Sequence, residues 1–200
     1  MKFTYTRNTI SIKDKVLTDL DEFVFDFLHV LDKYCTYVII SGYLPIFFGR
    51  SRGTEDVDVF IDHIDEQTFI RFYNELVKEN YYFLNPEDEH GLYEMLTENL
   101  GIRAAKKESI IPNIEMKFTK DDIDRFTMEN RMEVHVANTN RFFIAPLEVE
   151  IPYKLYLGSE KDIEDAVYLW EIFQKYINKK LIHRFMKELH VSGEQYGIKI

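Results

Sequence analysis

The stretch SGYLPIFFGRSRGTEDVDVFI, residues 41–61, holds the side chains best suited to chemistry. Asp56 and Asp58 alternate with Val57 and Val59 in a run that reads as a strand, and side chains two apart in a strand share a face. Two carboxylates so placed repel one another unless a metal ion or water lies between them. A third acid on a neighbouring strand would complete an all-oxygen cage of the kind magnesium prefers, with positions left for substrate phosphates. Two such ions, roughly 3.5–4 Å apart, clamp the attacking and leaving oxygens of a phosphoryl displacement. Glu115, within IPNIEMKF, is the best candidate for the third acid; its alternative is a plain ion pair with a basic neighbour. Upstream, the Ser41–Gly42 turn can bring backbone N–H groups close to a triphosphate, aided by the start of the following helix.

These residues need a scaffold, and hydrophobic spacing outlines one. Val16, Leu17, Leu20, Phe23, Val24, Phe27, Leu28 and Leu31 form one helical stripe, with Ser11 and Asp14 spaced as a capping box. CTYVII reads as a buried strand, YLPIFFG as a short helix closed by Gly49, and EDVDVFI as an alternating strand. Asp65 is set to cap a helix that turns Phe69, Phe72, Tyr73, Leu76 and Val77 inward. NPEDEHGLYEMLTENLG reads as a short helix or an insertion loop. IPNIEMKF alternates again, with Ile114, Met116 and Phe118 opposite Glu115 and Lys117. MEVHV and RFFIA around ANTN predict a hairpin, and the periodicity from Ser159 to about His190 predicts one long amphipathic helix. Strand, turn, helix and strand in this order belong to an α/β or α+β domain.

Composition narrows the chemistry. A net charge of −10 over 200 residues weighs against broad nucleic-acid binding. Basic residues nevertheless cluster at Arg50 and Arg52, at Arg103, Lys106 and Lys107, and in KKLIHRFMK, a distribution that suits one phosphate-rich ligand. The single Cys35 excludes an internal disulfide and a cysteine-based zinc site. No apolar h-region opens the sequence and no apolar run is long enough for a bilayer span, so a cytoplasmic protein without a membrane partner is expected. The histidines show no ligand spacing, and neither a G-x-S-x-G elbow nor a Walker loop is present.

Taken whole, VIISGYLPIFFGRSRGTEDVDVFI resembles the signature of the DNA polymerase β-type nucleotidyltransferase superfamily. It looks most like the small stand-alone branch that includes the abortive-infection (AbiEii-like) nucleotidyltransferase toxins, where the middle reads G-R-x-R-x-T-x-D-h-D. Arg50, Arg52, Thr54, Asp56 and Asp58 fall on that pattern, and IPYKLYLGSEKDIEDAVYLW supplies a matching Lys154 and Asp165. The resemblance implies an α+β nucleotidyltransferase fold: a small mixed sheet flanked by helices, divided into residues 1–157 with the N-terminal helix and a C-terminal helical part, 158–200. It implies Mg2+ or Mn2+ on Asp56, Asp58 and Glu115, and an NTP, ATP included, held by Ser41, Gly42, Arg52, Thr54, Lys154 and Asp165. A nucleoside monophosphate would pass to a hydroxyl of RNA, protein or a small molecule, with release of pyrophosphate. An antitoxin partner or a homodimer is the implied assembly.

The pattern is departed from in three places. Ser41 stands where the first glycine is usual, Glu115 where aspartate is commoner, and Pro152 requires a helix through Lys154 to start late or kink. Arg52 has an ion pair with the same aspartates as its other reading, Thr54 a turn or cap, and Asp165 a helix-dipole carboxylate; Asp162 is explained by a capping box with Ser159. The competing functions are a nucleotide-binding protein that transfers nothing and an interaction protein working through its aromatic-rich C-terminal helix.

Overall fold

The computed structural model of the protein describes residues 2–6, 8–136 and 140–200. Nine strands form one mixed sheet: β1 (Phe3–Thr6), β2 (Thr9–Ile12), β3 (Tyr37–Ile40), β4 (Asp56–Ile61), β5 (Tyr81–Phe83), β6 (Ile102–Lys106), β7 (Asn113–Phe118), β8 (Met132–Val136) and β9 (Asn140–Ile144). Their order across the sheet is β1-β2-β8-β9-β3-β4-β7-β6-β5. The sheet is thus larger than the resemblance suggests. Eight helices accompany it among the described residues: α1 (Asp19–Leu31), α2 (Tyr43–Phe47), α3 (Glu66–Lys78), α4 (Glu89–Thr97), α5 (Asp122–Glu129), α6 (Leu147–Leu157), α7 (Glu160–Phe173) and α8 (Lys179–Glu188). None is long and apolar enough to cross a membrane.

The central strands follow the sequence. Val57, Val59 and Ile61 of β4 are buried, as are Val38 and Ile39 of β3 and Ile114 and Met116 of β7. The opposite face of β4 carries Asp56, Asp58 and Phe60, which are only half-buried. Antiparallel β3 and parallel β7 flank β4. The short α2 and α3, capped by Asp65, both form, although Val77 of α3 faces solvent rather than inward, and Gly49 beyond α2 has a φ of 107°, a conformation that glycine adopts without a Cβ clash. Residues 89–97 resolve the helix-or-loop alternative as α4.

Three local expectations are corrected. Ser11 does not cap α1, because it lies in β2 opposite His135 of β8. The capping box is formed instead by Thr18 and Asp21, whose backbone N–H groups bond reciprocally to each other's side-chain oxygens at 2.9 and 3.2 Å. The long C-terminal helix is two helices, α7 and α8. Phe173, Ile177, Leu181 and Phe185 keep a four-residue spacing across the break, so periodicity alone continues the helix straight through. Asn178 ends that continuity by capping α8 with its side chain, while its own N–H donates to Glu148 Oε1 at 2.8 Å. Finally, Pro152 neither delays nor ends α6, which runs through it from Leu147; its missing donor removes one helical bond, to the Glu148 carbonyl.

The two strands of the predicted hairpin, β8 and β9, pair antiparallel, while its ANTN turn falls largely outside the described residues. α6 packs against both α7 and α8. The boundary expected at residue 157 therefore falls between helices that lie side by side.

Candidate active site

The β4–β7 register places Asp58 directly opposite Glu115, and Asp56 opposite Asn113. Across the sheet one row reads Ile40, Asp58, Glu115, Arg103, on β3, β4, β7 and β6. Residues paired in register share a face, so Asp56, Asp58 and Glu115 gather on one surface. The electrostatic consequence falls on Asp58. Burial pushes its carboxyl up from 3.8 to about 6, and the charges of Asp56 and Glu115 push the same way, against Lys117 and the Ser41 hydroxyl.

Glu115 behaves differently although it is also buried. Burial pushes its carboxyl upward, but hydrogen bonds from Lys117 and Arg103 outweigh that and hold it below the usual range. Arg103 Nε lies 2.7 Å from Oε2, and the Lys117 ammonium contacts Oε1. Glu115 thus has the basic neighbours that its alternative reading required, and it stands in register with Asp58. Both its oxygens are engaged, and among the described residues no group of three His, Cys, Asp or Glu side chains is gathered to hold a metal ion.

The donor set nonetheless suits a hard divalent cation. Asp56 and Asp58 supply carboxylate oxygens on one strand face. Asn113, in register with Asp56, has a buried Oδ1 without a hydrogen-bond donor among the described residues. An oxygen acceptor left in this way is the kind of group a cation satisfies. The sequence reading missed Asn113, since nothing before the strand register is known sets it beside Asp56.

The turn above these acids is tightly held. Ser41 has a φ of 63°, in the left-handed region, which explains why glycine is the easier residue there. Gly42 follows as the first residue leading into α2. A Cβ on Gly42 would lie 3.0 Å from Arg52 Nη2, so the close approach of that guanidinium depends on glycine. Thr54 Oγ1 donates to the Asp56 carbonyl at 2.9 Å and fixes the loop entering β4. α2 itself is only five residues long, so its dipole is a small contribution.

Arg52, Lys154 and Asp165 come together, but in each other's company. Arg52 Nε and Nη2 fork onto Asp165 at 2.9 and 2.7 Å, and Nη2 also donates to the Gly42 carbonyl at 2.9 Å. Lys154 has no exposed surface, and its ammonium donates to Asp165 Oδ2 at 2.9 Å. Arg50 reaches the other Asp165 oxygen as well as Glu164. Burial would raise the Asp165 carboxyl, yet hydrogen bonds from Arg52 and Lys154 prevail and hold it low. The ion-pair partner of Arg52 is therefore Asp165 on α7 and not the β4 aspartates. Ser159 and Asp162 form the expected start of α7, with Ser159 Oγ accepting the Asp162 N–H at 3.2 Å.

Glu150 of α6 is a further acid that sequence spacing did not single out. It is 3% exposed, its carboxyl is raised by burial, and its Oε1 has no hydrogen-bond partner. It helps line a cavity of about 30 Å³ with Ile40, Ser41, Phe60, Asp124 and Tyr153. Cys35 is partly buried with its thiol pushed up to about 12 by burial, so it stays protonated and inert.

The mixed sheet carries an acidic pair beside a strand–turn–helix. Among solved structures the chain is similar to an antigenic nucleotidyltransferase-like protein from Paracoccidioides brasiliensis. The two share 14% identity with a TM-score of 0.51 over 88% of this chain and 87% of that one, a likeness of fold. No protein-family model and no curated protein matches the sequence.

Proposed function

We propose that the protein is a metal-dependent nucleotidyltransferase that moves a nucleoside monophosphate from an NTP to a hydroxyl acceptor and releases pyrophosphate. The observation that carries this reading is the in-register row of Asp58 and Glu115, with Asp56 on the same face, next to the Ser41–Gly42 turn. Asp56 and Asp58 would hold Mg2+ or Mn2+, with Glu115 completing the set. When bound, the ions supply charge neutralisation at the reacting phosphate. The turn at Ser41 and Gly42 lets the triphosphate approach the backbone. Arg52 acts by gripping the Gly42 carbonyl, and Lys154 and Asp165 act behind it as the anchor of that grip. Thr54 keeps Asp56 in register. The resemblance of Arg50, Arg52, Thr54, Asp56, Asp58, Lys154 and Asp165 to the abortive-infection toxin pattern supports that type as the finer reading, with an antitoxin or a second copy as the corresponding partner.

RNA, a protein hydroxyl and a small molecule remain the acceptor classes. The basic RAAKK segment divides between the faces of β6: Arg103 reaches Glu115, whereas Lys106 lies 4.0 Å over the Tyr81 ring. A single residue of that cluster thus addresses the site from β6. The reading is tested by label transfer from each α-labelled NTP with Mg2+ or Mn2+ into a lysate of the source organism. Transfer by the wild type and none by the Asp56→Ala, Asp58→Ala double variant is the expected result; NTP binding without transfer would reject catalysis. That second outcome is the rival reading, a nucleotide-binding protein, and the engagement of Glu115 by Lys117 and Arg103 favours it.

A further inference from the structure

Glu115 stands between two claims on its charge. Across the β4–β7 ladder lies Asp58, with Asp56 on the same face of its strand. On the other side Arg103, opposite on β6, sets Nε and Nη2 at 2.7 and 2.5 Å from Oε2. Lys117, two residues further along β7 and so on the same face, contacts Oε1. Gly101 leaves the room for this arrangement, since a Cβ there would lie 2.7 Å from Glu115 Oε1 and 2.9 Å from Lys117 Cε. The carboxylate is 9% exposed, whereas the Arg103 and Lys117 side chains are 51% and 41% exposed. Both cations are therefore free to withdraw into water while the carboxylate stays in place. Each pair thus has one partner that water can solvate, and a divalent ion that also draws on Asp56 and Asp58 can compete for the carboxylate.

We propose that Arg103 and Lys117 are positioning residues that latch Glu115 away from the cation site until a divalent ion, shared with Asp56 and Asp58, outcompetes them. The latch rests on the metal-dependent reading of this site. It keeps the acid neutralised while the site is empty and makes the third ligand available only on loading.

The test is Mn2+ binding by calorimetry, without nucleotide, to the full chain and to Lys117→Gln and Arg103→Gln, each repeated in a Glu115→Gln background. A working latch tightens Mn2+ by about tenfold in either single variant and loses that gain when Glu115 is gone, because the double-mutant cycle isolates what passes through Glu115. Equal tightening in both backgrounds would show that the lost charges act through the general field and would overturn the latch. Unchanged Mn2+ affinity in the single variants would overturn it too. If no variant binds Mn2+ with or without NTP, the metal-dependent reading itself fails and the latch falls with it. Thermal melts of the same proteins check that each is folded, as expected from the exposure of Arg103 and Lys117 and from the unchanged shape of Glu115→Gln.

Discussion

Two charged clusters meet at the Ser41–Gly42 turn, and they are built by opposite rules. Around Asp165, one buried carboxylate is saturated by Arg50, Arg52 and Lys154, and its neighbours Glu164 and Asp162 take up remaining positive charge. Around Asp58, a half-buried carboxyl faces two further acids and is offset only by the Lys117 charge and the Ser41 hydroxyl. The first cluster is complete in the folded chain and works as a strut from α7 to the Gly42 carbonyl. The second is left short of positive charge, a deficit that the proposed cation would relieve. Stability is concentrated in one and withheld from the other.

The largest test of this contrast is Asp165→Asn. It leaves Lys154 buried without its carboxylate and unanchors Arg52, so a loss of about 3–5 kcal/mol in urea denaturation is expected, as for other broken buried pairs. Lys154→Met should cost less, because Asp165 retains both arginines. A loss from Asp165→Asn below that of Lys154→Met would reverse the order and deny the hub its role.

Asp58→Asn should act in the opposite direction. The Asp58 carboxyl is raised to about 6 in the fold from 3.8. Its folded-state preference for the proton contributes stability below the lower value and is lost as pH rises through the upper one. In metal-free buffer at pH 7 the variant is therefore expected to be more stable by on the order of 2 kcal/mol, with the advantage closing below about pH 4. A pH series of denaturation midpoints measures it; a variant less stable than wild type at pH 7 would show that Asp58 is not electrostatically strained.

Smaller again is Ser41→Gly. Removing the side chain from a φ of 63° relieves left-handed strain, but glycine also loosens the unfolded chain. A net gain of about 1 kcal/mol or less should appear as a shift in denaturation midpoint. The smallest effect belongs to Lys117→Gln, where a half-exposed cation is removed from a carboxylate that keeps Arg103, and the stability change stays within about 0.5 kcal/mol. A loss of several times that size would mean that the Lys117–Glu115 pair is structural rather than exchangeable.

Much of this contrast was legible from spacing and side-chain type. Asp56 and Asp58 on one face, the strand ending at Ser41–Gly42, the cap at Asp65 and the alternation of IPNIEMKF all depend on neighbours a few residues away. Ser11 and the joined C-terminal helix show where that reasoning ends. Ser11 satisfied a local capping pattern but is claimed by pairing with β8, more than a hundred residues away in sequence. The stripe from Phe173 to Phe185 was periodic across a break that Asn178 and Glu148 impose.

The sequence by itself determined the chemistry that is present: three acids able to share a sheet face, a small-residue turn beside them, and basic residues near both. Those features follow from local periodicity and from which side chains carry charge. Only the tertiary structure decided how the charges are partnered. Arg52 and Lys154 turn to Asp165 because α7 packs against α6 and brings that carboxylate to them. Glu115 turns to Arg103 because β6 pairs with β7 in one particular register. Ion pairing depends on distances between elements remote in sequence, and these are fixed by packing.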